Sequence, residues 1–93
     1  FILPNDRVDI VLTYEQRADP ERGIPERTIA TTIVRNVRVF AIDQNFSTNA
    51  EGETSRIGRT ATLEVSPREV ELLALAQQKG EVSLALRPLD QQI

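Results

Sequence analysis

Polar and apolar residues alternate along three stretches of the chain, and the alternation lays out most of the expected architecture. In Arg7 to Tyr14, Val8, Ile10 and Leu12 share one face, while Arg7, Asp9, Val11 and Thr13 share the other. That two-residue period is the signature of a half-buried strand. Thr28 to Ile42 is the richest β segment. Its first half alternates Ile29, Thr31 and Ile33 against Thr28, Ala30 and Thr32. Its second half sets Val37, Val39 and Ala41 against Phe40 and Ile42. Apolar residues on both faces predict a central strand, and Arg35-Asn36 between the halves marks a bulge or bend.

The third stretch, Arg59 to Arg87, predicts strand, helix and strand with little slack. Thr60 to Val65 alternates, and Ser66-Pro67-Arg68-Glu69 then starts a helix in three ways. Ser66 can cap an orphan N–H, Pro67 carries a helical φ, and Glu69 can reach back to the Ser66 amide. The helix is expected over about 67–79, with Gly80 as a left-handed stop. Val82 to Arg87 alternates again before Pro88. Short connections on both sides of a helix suggest two parallel neighbours joined by a right-handed crossover, a β-α-β unit at 60–87. Ala61, Leu63, Val65, Val82, Leu84 and Leu86 would then face the helix.

The expected fold is therefore α+β, a small mixed sheet of four to five strands with one helix on one face. Leu3-Pro4-Asn5-Asp6 reads as an entry turn in which Asn5 tolerates a left-handed backbone. Residues 15–27, with Pro20, Gly23 and Pro25, form a charged mobile loop. Residues 43–58 form a second, long and exposed one, functional or, with only Phe46 and Ile57 to anchor it, disordered. Leu89 to Ile93 is a tail.

Composition narrows the chemistry. Ninety-three residues suit a single domain, and the absence of any methionine, even at Phe1, suggests a piece of a longer protein. There is no cysteine or histidine, so disulfides, thiolate metal sites and the commonest general base are missing. A net charge of −3 and few aromatics argue against nucleic acid as a partner. No apolar run is long enough to span a membrane. Asp6 with Asp9, or Glu51 with Glu53, could be imagined as a glycosidase pair, but turn and loop carboxylates are ordinarily just solvated. No catalytic residue, cofactor or metal site is expected.

Three stretches together resemble one family. They are Leu3-Pro4-Asn5-Asp6-Arg7-Val8-Asp9-Ile10, the Arg35-Asn36-Val37-Arg38-Val39 centre, and Thr60 to Arg87. Their order and spacing resemble the C-terminal region of the CpaB/RcpC family of Flp (Tad) pilus assembly proteins, with Asn5 where glycine is usual. The resemblance implies a non-enzymatic periplasmic component of the pilus assembly and secretion machinery. It further implies that the parent chain carries an inner-membrane anchor and a β-clip domain of the SAF type before this region. Implied partners are other assembly proteins, the outer-membrane secretin and peptidoglycan.

Two surfaces are candidates for such contacts. On the helix, Leu75 falls among Arg68, Glu71, Gln78 and Lys79, away from the apolar arc of Val70, Leu72, Leu73, Ala74 and Ala76. Leu75, with Leu72 and Lys79, is a candidate partner-docking patch, the plain alternative being one exposed leucine. On the open sheet face, Arg7 and Arg87 are candidates for gripping a glycan. Cross-strand pairing among Arg7, Asp9, Glu64 and Arg87 is the plain account there. An open first or last strand could also accept a partner's strand.

Overall fold

A computed structural model describes residues 1–88, apart from the side chains of residues 45–47, 56 and 57. The expected tail at Leu89 to Ile93 and the anchoring role given to Phe46 and Ile57 lie outside what is described. Four strands and an α-helix follow in the order β1 (Arg7–Gln16), β2 (Arg27–Thr48), β3 (Thr54–Glu64), α1 (Pro67–Lys79) and β4 (Glu81–Leu86); the loop expected at 15–27 gives up Glu15 and Gln16 to β1 and holds a short 3-10 turn at Pro20–Arg22. The class is α+β as expected. The sheet order is β3-β2-β1-β4, and every pair is antiparallel.

The pairing differs from the expected crossover. β3 and β4 are not parallel neighbours but occupy opposite edges of one sheet, with β2 and β1 between them. The reason is length. A 13-residue helix reaches about 20 Å, enough to carry the chain across three strand spacings of ~4.8 Å each. Short connections therefore fit an edge-to-edge path as well as a return beside the same strand. β3 also has a nearer partner, because residues 43–58 are not a loop: β2 runs to Thr48, turns at Asn49–Glu53 and returns as β3. The Asn49 side chain fastens that turn, accepting from the N–H groups of Glu51 and Glu53 at 3.0 and 2.9 Å. This ribbon is polar on both faces, so it shows no hydrophobic period, and its backbone ladder holds it instead.

β1 alternates as its sequence dictates: Val8, Ile10 and Leu12 are buried between partly exposed neighbours. Opposite it, Arg35 and Asn36 form the expected bulge, two residues facing Asp9 alone. Asn36 takes φ 57° there, a conformation asparagine tolerates better than most residues. Its N–H donates to the Asp9 carboxylate at 2.9 Å. Further register shifts at Ile33 and Phe40 bend β2, which pairs with β1 up to Arg38 and with β3 from Arg38 onward. The entry turn closes against this pivot. Asp6 N–H donates to Leu3 C=O at 3.1 Å, Asn5 takes φ 75°, and Asn5 N–H donates to Val39 C=O at 2.7 Å.

Val8, Ile10, Val34, Val37 and Val39 form the centre of the core, with Ile2, Ile33, Ile42, Leu63, Val65, Leu73, Val82 and Leu84 packed around them. The helix start is built as predicted, with Glu69 N–H donating to Ser66 Oγ and Ser66 N–H donating to the Glu69 carboxylate. Ser66→Ala should cost about 1 kcal/mol, read as a drop of roughly 4–8 °C in the unfolding midpoint. The helix end is different. Gly80 has φ −170°, an extended backbone and not a left-handed one. It is glycine because a Cβ there would lie 2.2 Å from the Thr13 carbonyl oxygen and 2.9 Å from Tyr14 Cβ. The helix tail is pressed onto β1.

Packing of α1 is also narrower than its apolar arc. Leu73 and Ala76 dock, whereas Val70 is 52% exposed. Leu86, expected to face the helix, is 48% exposed.

Candidate functional site

α1 presents two unlike sides because only one stripe of it is held. Glu69, Leu73, Ala76 and Gly80 are the partly or fully buried positions, spaced four, three and four apart along a single line on the cylinder. Leu72, Leu75 and Lys79 lie together on one flank of that line, and all three are exposed, Leu75 at 68%. The Lys79 ammonium sits 4.3 Å from the centroid of the Tyr14 ring, a cation–π contact that fixes the patch at its β1 end. An apolar pair with a positively charged end is a surface suited to an apolar side chain beside a carboxylate.

The sheet face away from the core carries charge in register. Arg7 stands opposite Arg38, and Arg38 opposite Glu64. The Arg38 guanidinium donates to Glu64 and to the Asn5 side-chain oxygen, while its carbon lies 6.0 Å from the Phe40 ring centroid. Arg87 lies across from Arg7, its N–H donating to Arg7 C=O at 2.9 Å. Its side chain is mostly buried against the Asp9 carboxylate at 3.5 Å. Of the two arginines singled out from sequence, Arg87 is thus engaged within the domain and Arg7 is exposed. Reasoning from sequence missed Arg38, which joins the two halves of the row. Its place depends on the bulge at Arg35-Asn36, which shifts every later partner of β2.

A third feature had no signal in the sequence. Ile2, Ile42, Arg59, Thr60, Ala61 and Leu84 line a shallow, mostly apolar depression. The bend in β2 brings the hairpin residues Ile42 and Ala61 to the same hollow as Leu84 of β4.

Of the carboxylates considered for catalysis, Asp6 and Asp9 serve the backbone. Asp6 accepts from Leu3 N–H at 2.8 Å and Asp9 from Asn36 N–H. Among the described residues no group of acidic side chains could hold a metal ion, and no helix is long and apolar enough to cross a membrane.

These features define a small α+β fold that leaves, among the described residues, an apolar helix flank, a charged sheet face and the sheet edges uncovered. The family model of the Flp pilus assembly protein RcpC/CpaB matches residues 1–87. The chain belongs to that family, and its place is in Flp pilus assembly, among components associated with the cell envelope. Comparisons with curated proteins and with solved structures found no match.

Proposed function

We propose that the chain is a periplasmic protein-interaction module of the Flp (Tad) pilus assembly and secretion machinery, working by contact and without a catalytic step. The observation that carries this reading is the exposed Leu72 and Leu75 beside Lys79, on a helix already anchored through Leu73 and Ala76. Two leucines carried on an anchored helix need no backbone ordering on docking, so burying them contributes to affinity. The favoured partner is another assembly protein, with the periplasmic part of the outer-membrane secretin as the first to test. Leu75→Asp should weaken binding to the purified secretin fragment at least about tenfold. The unfolding midpoint should move by less than ~3 °C, as expected for a surface site. Unchanged affinity would remove the patch from the interface, and a large fall in midpoint would make Leu75 part of the core.

Peptidoglycan is the weaker reading. Arg87 is occupied by Asp9 and Arg38 by Glu64, leaving Arg7 as the exposed arginine of the three. Retention on purified cell-wall sacculi that falls with Arg7→Ala would favour it.

A further inference from the structure

Among the described residues β4 is an edge strand, and its interior carries none of the charges, bulges or prolines that usually protect one. Its ladder with β1 runs from Val8–Leu86 to Thr13–Glu81 with no register shift, whereas both β2 ladders are broken by bulges. Between Glu81 and Arg87 the residues are Val82, Ser83, Leu84, Ala85 and Leu86, with neither charge nor proline. β3, the other edge, carries Arg56, Gly58 and Arg59 and an irregular register. Charges, bulges and prolines are what natural sheets use to keep an edge from pairing, and β4 has none in its interior.

The backbone direction of β4 can be read from one bond. Arg87 N–H donates to Arg7 C=O, and residues in a strand turn their N–H and C=O alternately to either side. Ala85 and Ser83 therefore turn toward β1, and Val82, Leu84 and Leu86 turn their backbone groups to the open side. We propose that this edge pairs antiparallel with β4 of a second copy of the chain, with Leu84 opposite its own counterpart on a two-fold axis. In that register Val82 meets Leu86 of the other copy at both ends, so all the outward-turned residues of the strand pair. A slip of two residues would leave part of the row unmatched.

Side chains favour the same register. Val82, Leu84 and Leu86 share the core face, since they stand opposite Leu12, Ile10 and Val8. Pairing would cover Leu86, otherwise 48% exposed, with Val82 of the second copy. On the opposite face Glu81 would stand across from Arg87 of the other copy, twice, on the outer side of the guanidinium that Asp9 already holds. A strand acidic at its start and basic at its end complements itself only when reversed, which points to a second copy of this chain. α1 lies against β4, so the two helices would flank the axis and add to the buried surface. This interface is separate from the Leu75 patch and stands or falls without it.

The chain has no cysteine, which makes a direct test simple. Ser83 and Ala85 would face each other across the axis as a non-hydrogen-bonded pair, with Cα atoms about 4.5 Å apart, within disulfide reach. An equimolar mixture of Ser83→Cys and Ala85→Cys chains, mildly oxidised, should yield cross-linked dimer at least about tenfold faster than either variant alone. A second measurement is sedimentation. The unaltered chain should show a concentration-dependent rise toward twice the monomer mass. Leu86→Lys, an exposed position, should remain monomeric and keep its unfolding midpoint at dilution. The proposal is overturned if the mixture cross-links no better than its components. It is also overturned if Ser83→Cys alone cross-links as fast, since that is another register. A chain that stays monomeric at ~1 mM, or a Leu86→Lys chain that dimerises equally, overturns it as well.

Discussion

Ile10→Ala is expected to cost about 2–5 kcal/mol and to lower the unfolding midpoint by more than ~10 °C. Ile10 is fully buried on an inner strand, opposite Val34 on one side and Leu84 on the other. Removing its branched side chain leaves a hole walled by two strands whose backbones are fixed by ladders, so the site cannot collapse to fill it. A domain of this size has a total stability of about 5–14 kcal/mol, so this one change consumes a large share. Leu84→Ala should cost less, because Leu84 is only partly buried and lines the open depression. Val70→Ala, at a position 52% exposed, should cost below ~1 kcal/mol. Urea unfolding of the three variants checks that order. Equal effects at Ile10 and Val70 would place the core under the helix and not within the sheet.

Gly80→Ala should destabilise by roughly 1–3 kcal/mol or more, a fall of about 4–8 °C for each kcal/mol. The sign is informative. At an extended backbone with open space, glycine to alanine stabilises by ~0.4–1 kcal/mol, because the unfolded chain loses freedom. Here the added methyl would meet the Thr13 carbonyl oxygen at 2.2 Å, and that oxygen is backbone in a paired strand. Either α1 lifts from β1 or β1 distorts. Gly80→Asn separates the two explanations, since asparagine suits a left-handed stop but meets the same carbonyl. Thermal unfolding followed by circular dichroism should show both variants lowered, and an asparagine variant as stable as the parent would refute the close-approach account.

Gly80 also shows what a sequence can and cannot carry. The helix start was legible because Ser66, Pro67 and Glu69 act on one another within four residues. The alternation of β1, the turn at Asn5 and the bulge at Arg35-Asn36 were legible for the same reason: each follows from local backbone and side-chain chemistry. The need for a glycine at 80 arises from a strand some 65 residues earlier in the chain, and local chemistry offered the wrong cause. The hairpin of β2 and β3 was hidden because Thr, Ser, Asn and Arg on both faces leave no apolar period to detect. Partner choice in the sheet was misjudged because connection length limits a crossover without selecting it. On the surface, the exposure of Leu75 follows directly from helical period. The Arg7–Arg38–Glu64 row needed the register of two ladders.

The placement of β1 between β2 and β4 has a bearing on how the domain comes into being. One flank of the central strand is supplied soon after it is made, the other only by the last strand of the described chain, more than sixty residues on. Until that segment is available, a partly apolar strand stands with a bare side, and closing so distant a contact is slow. The growing polypeptide is therefore obliged to wait, and during that interval it is most open to mispairing or to the care of a chaperone.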